Sequence, residues 1–205
     1  MNYYIAREGW PFIGGVSAFF IILLTIGNIF FILPGLALLL FVAWFFRNPD
    51  RAVPEIDGAV VSPADGTVIA ISSLPDGVKK ISIFMSVFNV HVNRIPADGV
   101  VEEIKYNKGS FLVASREKAS LDNEQNAVTI VDSAGRRIKF VQIAGLVARR
   151  IVCRLKVGDR VNRGMRYGMI RFGSRLDLYL PDGLSLKINL KDKVKAGSTI
   201  IGIYG

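Results

Sequence analysis

From Gly9 to Phe46 the chain runs for 38 residues without a charged side chain. As one straight helix that stretch would reach about 57 Å, whereas a bilayer core of about 30 Å needs only about 20 residues. Gly27-Asn28 and Pro34-Gly35 interrupt it near the middle. The pattern predicts two short apolar helices, about residues 10–27 and 30–46, joined by a tight turn. A single tilted span is the alternative. Arg7 precedes the stretch, and Arg47 and Arg51 follow it. Basic flanks at both ends fit a hairpin whose two ends lie in the cytoplasm. The run is too long for a cleaved signal peptide, and Phe45-Phe46-Arg47-Asn48-Pro49 is not a small-residue cleavage site. Residues 1–50 are therefore expected to be a membrane anchor, and residues 51–205 a separate domain on the cytoplasmic side of the cell membrane.

Without the anchor about 155 residues remain, enough for a proper hydrophobic core. The single cysteine, Cys153, excludes an internal disulfide, and with only one histidine a metal cluster has no support. The formal net charge is +9. A basic chain meets either nucleic acid or an anionic membrane surface by the same physics, and the apolar N-terminus decides for the membrane. No nucleic-acid partner is expected. A homo-oligomer is compatible with the sequence.

After residue 50 the pattern changes to short apolar runs punctuated by Gly, Asp, Asn and Pro. Residues 59–62, 67–72, 80–85, 127–131 and 139–143 read as strands, and no stretch sustains a helical period. The fold class is mainly β. Val157-Gly158-Asp159-Arg160-Val161-Asn162-Arg163-Gly164 is echoed 33 residues later by Leu190-Lys191-Asp192-Lys193-Val194-Lys195-Ala196-Gly197. In each copy Asp caps a turn, Val enters the core and Gly permits a bend. This V-G-D-x-V-x-x-G element resembles that of biotinyl/lipoyl-type domains. Two copies predict a pseudo-symmetric sandwich or flattened barrel; chance similarity of two hairpins is the alternative.

Three places carry candidate chemistry. His91 lies in Met85–Pro96; read as one strand, alternation puts Asn89, His91 and Asn93 on one face and Phe88, Val90, Val92 and Arg94 on the other. An imidazole titrates near neutral pH and suits a general base. Asp65 lies in the turn Pro63-Ala64-Asp65-Gly66, where a carboxylate can orient an imidazole. Asp98, in Pro96-Ala97-Asp98-Gly99, has the same turn chemistry, so Asp-Gly alone does not separate the two. Gly173-Ser174 interrupts an alternating strand pattern between Ile170 and Leu180. A glycine carbonyl is the least hindered target for a serine oxygen, and glycine tolerates strained torsions. A β-bulge is the ordinary reading of such a dipeptide.

Four pieces in this order, F-R-N-P-D-R (46–51), V-S-P-A-D-G-T-V (61–68), S-V-F-N-V-H-V-N-R-I-P-A-D-G (86–99) and R-F-G-S-R-L-D-L-Y-L-P (171–181), resemble the short, membrane-anchored phosphatidylserine decarboxylases. Longer members of that family carry L-G-S-T at the Gly-Ser site and a second histidine three residues after the first; here the site reads F-G-S-R, and Arg94 occupies the second position. The resemblance implies that Asp65 orients His91, that His91 deprotonates Ser174, and that Ser174 attacks the Gly173 carbonyl. Cleavage would leave a β chain, 1–173, and an α chain, 174–205, whose first residue becomes a pyruvoyl group, the only cofactor. That group would condense with the serine headgroup amine and accept the electrons left as CO2 departs. Catalytic residues would be Ser174, His91 and Asp65. Arg94 and Arg175 become candidates for the lipid phosphate, and Phe84, Met85, Val87 and Phe88 for an apolar lip at the membrane. Two readings stand beside this one: a membrane-tethered biotinyl/lipoyl-like binding or adaptor module, and a decarboxylase of another serine phospholipid, such as archaetidylserine.

Overall fold

The computed structural model describes residues 4–109, 123–145, 150–171 and 174–205. It divides into two compact units, Met1–Asp50 and Arg51–Gly205.

In the first unit a single 3₁₀ turn, Arg7–Gly9, leads into helix α1, Trp10–Ile26. Gly27 ends α1 in the left-handed region (φ 70°), returning its N–H to the Leu24 carbonyl at 3.1 Å. The Asn28 side chain then caps α2, Ile29–Phe45, by accepting from Phe30 N at 2.9 Å. The break thus falls at Gly27-Asn28 alone. Pro34 sits inside α2 rather than at a break. A Cβ at Gly35 would lie 2.6 Å from the Leu23 methyl, so glycine there lets the two helices approach. An antiparallel bridge between Ile5 and Arg47 closes the ends of this unit. The segment Arg7–Ile26 is long and apolar enough to cross a membrane.

The second unit is mainly β, and its described residues contain no helix. Strands β1 (Ala59–Val61), β2 (Gly66–Ser73) and β3 (Lys79–Met85) are followed by β4 (Val92–Arg94), β5 (Gly99–Asn107) and β6 (Gln125–Val131). Next come β7 (Arg137–Ala144), β8 (Ile151–Cys153), β9 (Arg160–Val161) and β10 (Arg166–Ile170). The last four are β11 (Ser174–Leu180), β12 (Leu184–Leu186), β13 (Lys193–Val194) and β14 (Ile200–Tyr204). One eight-stranded antiparallel sheet has the order β13-β2-β3-β11-β7-β6-β5-β9, and two three-stranded sheets have the orders β1-β14-β12 and β4-β10-β8.

These orders are palindromic about the β11–β7 pair, and the 33-residue echo is the reason. Shifting β1, β2, β12 and β13 onto β4, β5, β8 and β9 maps one half of the unit onto the other. Asp159 and Asp192 each cap their turn, accepting from Lys156 N and Asn189 N at 2.8 Å. Gly158 and Lys191 take up the same positive φ, 90° and 73°. Each P-A-D-G aspartate then ties its half together: Asp65 Oδ1 accepts from Ala196 N at 2.7 Å, and Asp98 Oδ1 from Arg163 N at 2.8 Å. The sequence echo is thus a duplication at the level of the fold. Period-2 alternation on the large sheet sends Ile81, Ile83 and Met85 of β3, Leu176 and Leu178 of β11, and Ile138 and Phe140 of β7 into one core.

Candidate active site

Ser174 opens β11 at the centre of the large sheet. It is paired on one side with Met85 of β3 and on the other with Ala144 of β7. Its side chain shares the core face with those two partners, and the residue is 0% exposed. The Oγ has no hydrogen-bond partner among the described residues. A buried hydroxyl left in this state is destabilising by about 1–3 kcal/mol and calls for an explanation. Gly173 lies outside the described residues.

His91 is also fully buried and immediately precedes β4. Its carbonyl accepts from Ile170 N at 3.4 Å, so it adjoins the end of β10, four positions before Ser174. Its Nδ1 lies 3.0 Å from the Asn89 carbonyl, so its own turn helps to orient the ring. Asp65 sits in the β1–β2 turn, joined to β4 by the bond from Arg94 N to the Pro63 carbonyl at 2.9 Å. Beyond Ala196 N, its carboxylate accepts from Arg51 Nη2 at 2.7 Å. The F-R-N-P-D-R stretch therefore contributes to the Asp65 turn, a role that the sequence pattern did not suggest.

Several expectations are corrected by the geometry. Residues 85–96 are not one strand. Asn89 accepts from Ser86 N and Oγ at 2.9 and 2.8 Å, closing a turn between β3 and β4, so Asn89 does not share a strand face with His91 and Asn93. Of the four lip candidates, Met85 is a core residue at 0% exposure and Phe84 is half-buried, while Val87 and Phe88 stand out from the turn at 37% and 67%. The two phosphate candidates are engaged elsewhere. Alternation puts Arg175 on the sheet face opposite Ser174, where Nε and Nη2 donate to the Asp177 oxygens at 2.6 and 2.7 Å. Lys80 Nζ also lies 3.2 Å from Asp177. Arg94 is buried at 7% and donates through Nη1 to the Gly164 carbonyl at 2.8 Å, its stem packed against Gly197. Both guanidinium groups thus have partners within the fold.

Gln142, Asn126 and Asp177 were missed by sequence reasoning and are buried beside or behind Ser174. The signal for the first was present: Ile138, Phe140 and Gln142 are alternate residues of one strand, and an amide in that series is out of place in a core. At the edge of this region burial pushes the Cys153 thiol above its ordinary value, with Leu155 and Asn126 acting in the opposite direction. No group of three or more metal-ligating side chains occurs among the described residues.

Comparison with known proteins bears on what these residues do. The family model described as phosphatidylserine decarboxylase matches residues 38–202. A protein named phosphatidylserine decarboxylase proenzyme from Burkholderia mallei is 48% identical over 209 aligned residues, covering 98% of this chain and 97% of its own length. Proteins of the same name from Burkholderia pseudomallei and Burkholderia lata are each 47% identical, again across 98% of this chain.

Proposed function

The chain belongs to the phosphatidylserine decarboxylase family, and we propose that it is a self-processing enzyme that removes CO2 from phosphatidylserine to give phosphatidylethanolamine. The observation that carries this reading is Ser174: a fully buried serine whose hydroxyl lacks a partner among the described residues, fixed between two strands at the dipeptide where the precursor would be cut.

Self-processing begins when His91 takes the Ser174 hydroxyl proton. The oxygen adds to the carbonyl carbon of Gly173, the peptide C–N bond breaks, and the proton passes to the departing nitrogen, leaving an ester. Loss of the Ser174 Cα proton with scission of the Cβ–O bond frees the Gly173 carboxylate and ends the β chain at 173. Water then replaces nitrogen at the new terminus, with release of ammonia. A pyruvoyl group at 174 fits the position, which is fully enclosed between β3 and β7; the Ser174 oxygen itself leaves in the Gly173 carboxylate, and the ketone oxygen comes from water. Such a group supplies an electron sink for the carbanion left by CO2. In this reading Asp65 positions His91 through the β1–β2 turn. His91 moves protons in both stages, at Ser174 Oγ and then at the substrate carbon.

The first unit is the anchor, with its basic flanks and the catalytic unit on the cytoplasmic side. A diacyl substrate does not leave the bilayer readily, at about 0.8 kcal/mol per buried CH2, so the enzyme has to work at the surface. In this reading Val87 and Phe88, exposed on the turn that leads to His91, dip into it.

Intact-mass measurement of the purified chain, with and without a carbonyl-reactive tag, tests the proposal. Two fragments meeting between residues 173 and 174, the smaller one taggable, are expected. A single untaggable chain from folded protein would overturn it.

A further inference from the structure

A chain of buried amides runs beside Ser174. Asn126 Nδ2 donates to Gln142 Oε1 at 3.1 Å, and Gln142 Nε2 donates to Asn93 Oδ1 at 2.9 Å. Asn93 and Gln142 are 0% exposed and Asn126 is 3% exposed. The direction of the chain fixes the last amide: with Oδ1 occupied by Gln142, Asn93 turns its NH2 the other way. Nδ2 lies 3.8 Å from Met85 Sδ, a weak acceptor. Met85 is the strand partner of Ser174, and Gln142 is two positions from its other partner, Ala144, on the same face. The Asn93 carboxamide therefore lies between Met85, which flanks Ser174 on β3, and Gln142, two positions from Ala144 on β7.

The duplicated fold supplies an internal control. Asn93 pairs with Gly168, and its counterpart 33 residues earlier, Val60, pairs with the equivalent Gly202. The ladder Thr67–Phe84–Arg175 in one half corresponds to Val100–Val131–Arg137 in the other. Five residues further along the central strands, Gln142 of β7 corresponds to Leu180 of β11, which is fully buried. The fold is thus built with Val and Leu at the equivalent place at the other end of the central strand pair, away from His91 and Ser174. Packing does not require the amides, and leaving their donors and acceptors in a core has a free-energy cost.

We propose that Asn93 is a positioning residue for self-processing, its NH2 reserved as the donor to Ser174 Oγ as that oxygen loses its proton, with Gln142 and Asn126 setting which end of the amide faces it. This rests on the reading of Ser174 as the self-processing nucleophile. The step itself is unchanged: the proton still leaves to His91, and Asn93 contributes only a neutral hydrogen bond to the charge that develops.

The test is the rate of precursor cleavage in the full-length chain, followed by gel electrophoresis and intact mass. The double variant Asn93→Val, Gln142→Leu carries the residues of the other half. It is expected to fold and to cleave about 100- to 1000-fold more slowly, the range for losing one such donor. Gln142→Glu keeps the shape but reverses the chain, because a carboxylate accepts from Asn93 Nδ2 and turns Oδ1 toward Ser174. Burial raises the pKa of that glutamic acid; once protonated it donates to Oδ1 and restores the native direction. Its cleavage rate relative to wild type at the same pH is expected to rise as pH falls, which a purely structural amide would not produce. Wild-type cleavage rates in the double variant, or, should that variant not fold, a pH-independent ratio for Gln142→Glu, would overturn the proposal. Absence of cleavage in wild type itself would instead overturn the reading of Ser174.

Discussion

Asp177→Asn separates the two faces of the central strand. Asp177 is 0% exposed and accepts both arms of Arg175, itself 4% exposed, with Lys80 at 3.2 Å as a second cation. The asparagine has the same shape but no charge, and it presents an NH2 to one of two cations. Removing one member of a buried ion pair is destabilising by about 3–5 kcal/mol, because the remaining charge has neither water nor partner. The upper half of that range is expected here, since two cations lose their counterion. For a unit of this size each kcal/mol lowers the melting temperature by about 2–4 °C, so a drop of about 10–15 °C is expected. Alternation places Asp177 on the face opposite Ser174, so folded Asp177→Asn precursor, held well below its melting temperature, should still cleave at close to the wild-type rate. Thermal unfolding followed by circular dichroism and cleavage followed by gel electrophoresis provide the two readouts. Unchanged stability with cleavage slowed a hundredfold would refute the argument, since it would put this carboxylate at the chemistry rather than behind it.

Ser174→Ala is expected to remain one uncleaved chain with no decarboxylase activity; an active, uncleaved product would remove the nucleophile from the mechanism. Phe88→Asp should leave precursor cleavage unchanged while raising the apparent KM for lipid in mixed micelles about tenfold or more, given about 1.5–3 kcal/mol for burying such a side chain; an unchanged KM would remove the turn from the membrane contact. Burial pushes the Tyr204 phenol up to about 12, and its hydroxyl donates to the Pro181 carbonyl at 3.1 Å. The raised value favours the neutral form in the folded state, so its contribution is full below the unfolded value near 10 and is lost as pH rises through about 12. Tyr204→Phe should flatten the stability profile over that window, and an unaltered profile would contradict the assignment.

The strands were legible because their residues face a core on one side. Runs such as Lys80–Met85 and Lys139–Ile143 carry the alternation that a half-buried strand needs. The duplication was legible only through its turns, where Asp and Gly are demanded by capping and by positive φ. The rest of each half has diverged, because a core position accepts any apolar residue of about the right volume. His91 was visible as the one histidine of the chain, and Ser174 through the Gly-Ser that interrupts a strand pattern. The Asn89 turn was not, since Val87-Phe88-Asn89-Val90 alternates as well as any strand and the side-chain bonds from Ser86 to Asn89 are a local alternative that alternation does not register. The Arg175–Asp177 pair was missed for a related reason. Charge predicts that a guanidinium seeks an anion, and the nearest anion is two residues along on the same strand face.

The register also says what becomes of the small chain after cleavage. Residues 174–205 supply β11, β12, β13 and β14. β11 lies between β3 and β7 at the centre of the large sheet, and β14 joins β1 to β12. Leu176, Leu178, Leu180, Leu184, Ile188 and Ile201 belong to the main core. At about 1.5–3 kcal/mol each, their burial contributes on the order of 10 kcal/mol. Withdrawing the segment would also open the facing edges of β3 and β7 to water, so dissociation amounts to unfolding the catalytic unit. The two chains should therefore co-elute in detergent after complete cleavage and separate only in denaturant. Loss of the 174–205 fragment on native dilution would refute this. In the proposed processing the bond cut is the one just before a strand held on both sides, so the new terminus stays where the sheet holds it. A cut within β11 would leave the reactive end on a fraying strand. A cut at the start of an edge strand, such as β13, would leave it on one without neighbours to fix it. The position of Ser174 therefore answers a demand of the proposed chemistry: the residue after the cut remains buried in a fixed geometry for the step that follows.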